Sequence, residues 1–230
     1  MSFGKNLQFL RRLSNGMTQE ELAEKVQVSR QTVSKWELDA AYPEMSKVLE
    51  LCRLFSCSLD ELVQGDMGAY DAVYSNIRTE TVDAFRYIRY TVISPDPETD
   101  ALAHVREWGR SQGVEQPLLI GWDFPFLSQE QVNVFHMHGY AAAWVLPEGF
   151  TPQGDQWEVL SQEQQRYAAI TIKDPFTAPF RTIPNGYKTL MAYMQVNGLE
   201  HREEKNVISC FEKEYEQDGT TYMDVYIAIK

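Results

Sequence analysis

Thr18-Gln19-Glu20-Glu21-Leu22-Ala23-Glu24-Lys25-Val26-Gln27-Val28-Ser29-Arg30-Gln31-Thr32-Val33-Ser34-Lys35-Trp36-Glu37 reads as two short helices joined by a tight turn. Thr18 with Glu21 three residues on is a capping box, which starts a helix. Leu22, Ala23 and Val26 form its buried stripe. Ser29 suits the cap of a second helix whose buried side is Val33 and Trp36. The outward face of that second helix is Arg30, Gln31, Thr32, Ser34 and Lys35, rich in donors and without an acid until Glu37. Arg matches the guanine edge, Gln the adenine edge, and the Thr methyl the thymine methyl. A short helix presenting such a set fits the major groove of DNA.

This run resembles the helix-turn-helix of the phage-repressor family (Cro/CI, or XRE), over roughly residues 2–65. The resemblance implies that Gln19 touches a phosphate and that Ser29, Arg30, Gln31, Thr32 and Lys35 face the DNA. It also implies a buried pair between Arg12 and Glu37, whose disruption destabilises the domain. The turn position, usually Gly or Asn because it needs a positive φ, is Gln27, at a cost of about 1 kcal/mol.

Residues 1–66 hold 8 Lys/Arg against 10 Asp/Glu, a net of −2. DNA binding then depends on local placement of Lys5, Arg11, Arg30, Lys35 and Lys47, not on a global field. The remaining residues hold 13 basic against 23 acidic groups, a net of −10, which excludes a nucleic-acid surface there and favours cations. The 230-residue chain is 43% hydrophobic and 23% charged, an ordinary globular composition with room for two modest domains. No apolar run approaches the ~18–20 residues that span a membrane. With no secretory h-region at the start and three cysteines, Cys52, Cys57 and Cys210, the expected compartment is the reducing cytoplasm.

The first helix covers residues 3–14 and stops at Asn15-Gly16. A fourth helix covers about 44–55, and the capping box Ser58 to Glu61 opens a last one. The expected division is a helix-turn-helix domain over 1–66, a linker over 67–78 with a short helix around 70–77, and a second domain over 79–230. After residue 79 the pattern alternates as strands do. Residues 81–93 read as a strand and 97–111 as a helix; 118–124 and 140–146 read as strands. Arg86-Tyr87 recurs as Arg166-Tyr167, and Thr91, Val92 and Pro95 recur as Thr171, Ile172 and Pro175, all 80 residues on. A second long helix covers 184–195, and strands at 207–215 and 222–229 close the chain. Residues 142–146 echo 224–228 at an offset of 82. The fold class is thus an all-α helix-turn-helix domain followed by an α+β domain of two strand–helix–strand–strand repeats with a cleft between them.

This second domain resembles the gyrase-inhibitor-like effector-binding domain found in AraC-type regulators. The repeat order, Cys210-Phe211-Glu212 leading to Tyr215, and the ending Met223-Asp224-Val225-Tyr226-Ile227-Ala228-Ile229 carry the resemblance. Ala228 stands where a Pro is common. The resemblance implies an aromatic cleft with Glu212 facing flat, apolar, cationic ligands. On a strand, Cys210, Glu212 and Glu214 share one face, and Phe211, Lys213 and Tyr215 the other. A carboxylate among aromatics is costly to bury unless a cation arrives, and each aromatic face adds ~0.5–2 kcal/mol. Trp122, Tyr187 and Tyr215 are the aromatic ligand-binding candidates beside Glu212.

His136-Met137-His138 puts two histidines on one face, but no third or fourth ligand stands near, so no metal is expected. There is no G-x-S-x-G, P-loop or H-E-x-x-H, so neither a catalytic residue nor a cofactor is expected. The sequence therefore reads as a one-component regulator. A dimer binds near-palindromic operator DNA, and the second domain binds a small apolar molecule, cationic ones included. The alternatives are a scavenging or hydrolytic protein using Glu212 as base, with the helix-turn-helix serving autoregulation, and a DNA-binding protein whose second domain only dimerises or docks a protein.

Overall fold

The structure is a computed structural model and describes residues 2–65, 73–154, 157–204 and 206–230. It divides into two compact units, one of Met1–Ile77 with Phe176–Glu200, the other of Arg78–Pro175 with His201–Lys230.

The first unit opens with five helices: α1 (Phe3–Leu13), α2 (Gln19–Lys25), α3 (Arg30–Glu37), α4 (Met45–Leu54) and α5 (Leu59–Gln64). Both expected capping boxes form, at Thr18/Glu21 and Ser58/Glu61. Leu7, Leu10, Leu22, Val33, Leu51 and Leu62 are sealed in the shared core. Asn6 is fully buried, and its amide donates to the carbonyls of Leu62 and Gly65 at 3.1 and 2.6 Å, closing the α5 C-terminus. Gly4 lies against the end of α3, where a Cβ would stand 2.4 Å from the Trp36 carbonyl.

The remaining elements in order are β1 (Tyr74–Val82), β2 (Phe85–Ser94), α6 (Pro97–Ser111), β3 (Leu118–Asp123), α7 (Gln129–Asn133), β4 (His138–Val145), β5 (Val159–Gln162), β6 (Gln165–Lys173), α8 (Pro179–Val196), β7 (Cys210–Gln217) and β8 (Thr220–Ala228). The strands form one sheet in the order β1-β6-β8-β7-β3-β4-β2-β5.

Each repeat thus gains a leading strand: β1-β2-α6-β3-β4, with the short α7 between β3 and β4, and β5-β6-α8-β7-β8. The leading strands are exchanged. β1 lies beside β6, and β5 pairs with β2, Phe85 opposite Gln162. Central strands β3 and β7 join the halves, with Gly121 opposite Glu212.

Several sequence expectations shift. Residues 74–78, expected as linker and helix, begin β1; Ile77, Thr79, Thr81 and Val82 supply the β-branched density a strand favours. The rest of that linker falls mostly on residues 66–72, outside the described residues. The single strand expected over 81–93 is broken between β1 and β2. The second long helix starts at Pro179 rather than Pro184, with Pro at its first turn, where the missing N–H costs nothing, and Pro184 inside it. The echo at 82 is one residue short. Tyr87 pairs with Val145 and Tyr167 with Ala228, so β4 maps onto β8 by 83 residues. In a strand that single residue exchanges the faces.

One sheet face carries Ile88, Tyr140, Ala142 and Trp144 and is covered by Ala101, Val105 and Trp108 of α6. The other carries Tyr87, Ile120, Ala143, Tyr167, Phe211 and Tyr226.

Candidate functional site

In the first unit Ser29 caps α3. Its hydroxyl accepts from the Thr32 amide at 3.1 Å and stands 2.9 Å from the Thr32 hydroxyl. Gln27 takes φ 55°, the left-handed turn its position requires. Val33 and Trp36 are buried, which fixes the phase of the helix and leaves Arg30, Gln31 and Lys35 exposed on its far side. No hydrogen bond or ion pair holds those three side chains among the described residues. The face is therefore a set of free donors on a helix braced from behind.

The brace is a buried ion pair whose partner differs from the expected one. Glu37 pairs with Arg11, not Arg12, at 2.6 Å from Nε to Oε1 and 3.1 Å from the second guanidinium nitrogen to Oε2. Helical phase explains the correction. Arg11 follows Leu7 by one turn on the buried side, whereas Arg12 is rotated about 100° toward solvent. Gln19 donates to the same carboxylate at 2.8 Å. One of its two amide hydrogens is thereby spent, which fixes its orientation and leaves the other for a phosphate. Arg11 and Lys47 leave the set of groove-attracting cations. Lys47 donates to the Val26 carbonyl and to Glu50, both at 2.7 Å. Lys5, Arg30 and Lys35 remain.

In the second unit a cavity of about 130 Å³ lies between α6 and the central strands. Leu102 and Arg106 line it from α6, and Leu119, Tyr140, Glu212 and Glu214 from the sheet. The Tyr140 hydroxyl donates to Glu212 Oε2 at 3.3 Å. Burial pushes the Tyr140 phenol far up, and the Glu212 charge adds to this, so it stays a donor at neutral pH. Burial also raises the Glu214 carboxyl, against the pull of Arg106. Glu98, at the start of α6, is raised by burial and then by Glu214 and Asp123. Buried acids outnumber their one lining cation, so the cavity favours a positive guest.

The sequence candidates for this cleft do not come together. Trp122 follows Gly121, which is registered opposite Glu212, so its ring turns to the opposite face and meets Tyr87 edge-on at 6.4 Å. Tyr215 shares that opposite face. Its hydroxyl donates to Asp224 at 3.4 Å, in a network where Asp224 also accepts from Thr171 at 2.6 Å and Arg78 at 3.1 Å. Tyr187 lies on α8, in the first unit. Only Glu212 of the four lines the acidic cavity. Glu214 was placed on the Glu212 face, but Tyr140 and Arg106 were not singled out. The available signal was Gly121 inside an apolar strand, the mark of a close approach; a Cβ there would stand 2.2 Å from the Tyr140 hydroxyl. Among the described residues no group of His, Cys, Asp and Glu is placed to hold a metal, and no helix is long and apolar enough to cross a membrane.

With this geometry the class of the first unit is defined: residues 9–62 match the helix-turn-helix family HTH_3 and form a domain of that type. Over 66 residues, 29% of this chain, the sequence is 44% identical to the HTH-type transcriptional activator BcrR of Enterococcus faecalis. The match spans 32% of that protein, about a third of its length. The DNA-binding domain of the P22 c2 repressor is 28% identical, with 29% of this chain and 87% of that one covered and a TM-score of 0.27. EcmrR, in the structure of its DNA complex, is 12% identical, with 96% of this chain and 80% of that one covered and a TM-score of 0.50. That likeness is one of fold: helices followed by an α+β domain with a curled antiparallel sheet.

Proposed function

We propose that this chain is a one-component transcriptional regulator, working as a homodimer. It reads operator DNA through Ser29, Arg30, Gln31, Thr32 and Lys35 and senses a small apolar cation in the cavity that holds Glu212. The observation that carries the reading is α3, an exposed row of unpaired donors whose back is locked by Trp36 and by Glu37 with Arg11. Gln19 serves as a phosphate contact beside it.

A route between the two sites is supported by α8. In the chain this helix is bracketed by β6 and β7, the second of which carries Glu212. Within the first unit it packs on the reading domain. Asn197, just past its end, donates to the Leu13 carbonyl at 3.2 Å, Gln195 donates to the Ser56 carbonyl, and Val196 joins the helical core. In this reading, cation binding at β7 reaches the reading domain along the chain that joins β7 to α8. Coupling of this kind is reciprocal: DNA changes cation affinity by the same factor.

The experiment selects bound duplexes from a random DNA pool, then titrates the enriched operator with and without tetraphenylphosphonium. A changed operator affinity, lost in Glu212→Gln, supports the reading. A pool that yields no enriched sequence rejects the DNA-reading role. An operator affinity indifferent to the cation rejects the sensing role.

A further inference from the structure

Helix α4 ends on a tight left-handed turn that brings two cysteines together. Phe55 caps the helix and Ser56 takes φ 50°. The Ser56 amide donates to the Arg53 carbonyl at 3.3 Å, and the Cys57 amide donates to the Cys52 carbonyl at 3.0 Å. This pair of bonds is the Schellman closure of a helix, which presses the side chain after the turn onto one in the last helical turn. Here both of those side chains are cysteines, and their thiols are in contact. Both are half-buried at the edge of the helical core.

The closure also supplies the geometry of a disulfide. With the backbone N···O distance at 3.0 Å, covalent bond lengths hold the two Cα atoms within ~7 Å. That is the span beyond which two cysteines cannot be bridged. The side chains converge, so a bridge needs only the sulfurs to close to ~2.05 Å. Cys210, on β7, belongs to the other unit. Burial pushes the Cys57 thiol up to about 12, the Cys52 sulfur adds to this, and burial raises Cys52 as well. Both are protonated at neutral pH and slow to react, so the reduced pair persists until oxidant is sustained. Between the two cysteines stands Ser56, whose carbonyl accepts from Gln195 of α8. A bridge closes around the point where α8 rests on the reading domain.

We propose that Cys52 and Cys57 form a reversible dithiol–disulfide modification site, oxidised by low-molecular-weight disulfides, and that the bridge resets the α8 contact at Ser56. Cys52, the less buried of the two, gives up its proton and attacks one sulfur of the oxidant, expelling a thiolate and leaving a mixed disulfide. Cys57 then gives up its proton and attacks the Cys52 sulfur, expelling the second thiolate. The chain loses two electrons and two protons, and the oxidant becomes two small thiols. Transient bridges of this kind are the ones that serve sensing in reducing compartments.

The test incubates the folded full chain with excess oxidised glutathione, blocks remaining thiols with iodoacetamide and maps tryptic peptides by mass. Trypsin cuts after Arg53, between the two cysteines, so their peptides stay joined only when bridged. The expected product is the Cys52–Cys57 link, with Cys210 outside it, and dithiothreitol reverses it. Cys57→Ser keeps the backbone closure and stops the reaction at glutathione on Cys52. Hydrogen exchange over the last turn of α8 shifts at least threefold between the reduced and oxidised wild-type chain. A folded wild-type chain that stays unlinked, a link that forms only in urea, or a main product through Cys210 overturns the proposal. Absence of the glutathione adduct in Cys57→Ser overturns Cys52 as the attacking thiol, and unchanged exchange in α8 overturns the coupling through Ser56.

Discussion

The Tyr140 hydroxyl reaches Glu212 Oε2, 3.3 Å away, by lying across Gly121, the residue opposite Glu212 on the neighbouring central strand. The approach exists because residue 121 has no side chain; a Cβ would stand 2.2 Å from the phenol oxygen. Gly121→Ala therefore displaces the Tyr140 ring and should cost ~1–3 kcal/mol of stability, the range for overpacking. Urea unfolding measures the cost, and the Tyr140 hydroxyl resonance reports the lost contact. An unchanged resonance would show that the ring accommodates the methyl.

Glu98 and Glu214 both hold their protons above the ordinary carboxylate value of 4.5, chiefly through burial. The folded chain binds these protons more tightly than the unfolded chain does. Their contribution to stability is complete below the unfolded value and is lost as pH rises through the raised folded values. A bound cation reverses the preference, since it favours the charged carboxylates. Binding of tetraphenylphosphonium should release protons as pH rises through the raised values of these two acids, and should tighten over the same window. Calorimetric titration at pH 5 in two buffers of different ionisation heat reads the release directly. Identical heats in both would separate these acids from the guest.

Arg11→Ala leaves Glu37 as a buried, partly compensated charge and should destabilise the helical unit by ~3–5 kcal/mol. Arg12→Ala, which leaves the Arg11–Glu37 pair intact, should cost less. Thermal melts of the two full-length variants make the comparison. Equal melting shifts would contradict the pairing.

Arg30→Ala should cost ~1–3 kcal/mol on the selected operator and relax preference at one base pair. Lys35→Ala, if Lys35 sits on a phosphate, weakens every duplex alike and flattens the salt dependence. Competition binding across single-base variants of the operator distinguishes the two. A uniform loss with Arg30→Ala would reassign that side chain to the backbone.

The reading helix was legible because its signals are local. Capping boxes at Thr18 and Ser58, the Ser29 cap and the buried pair Val33 and Trp36 are each set within four residues. A capping box at Ser128 and Gln131 was equally local and marks α7, which went unread. The Arg11–Glu37 pair was half legible: the acid was right, but adjacent residues on a helix point about 100° apart, and only packing shows which is inward. The 80-residue recurrence exposed the duplication. Strand β5, four residues long, carries too short an alternation to be seen, and its partner β2 lies some 75 residues away. That Trp122 and Tyr215 lie on the face away from the Glu212 cavity was illegible for a related reason. Which face of a strand looks into a cavity depends on register with its neighbour, a property of two distant segments together.

The exchanged leading strands bear on how the polypeptide comes to be folded at all. A nascent chain released only through β4 carries β1 with no mate and a bare β2 flank, because β6 and β5 have yet to emerge. Neither half can mature as an independent body, and the sheet is completed only when Ala228 docks opposite Tyr167. The half that carries Glu212 therefore acquires its shape only after β8 has emerged.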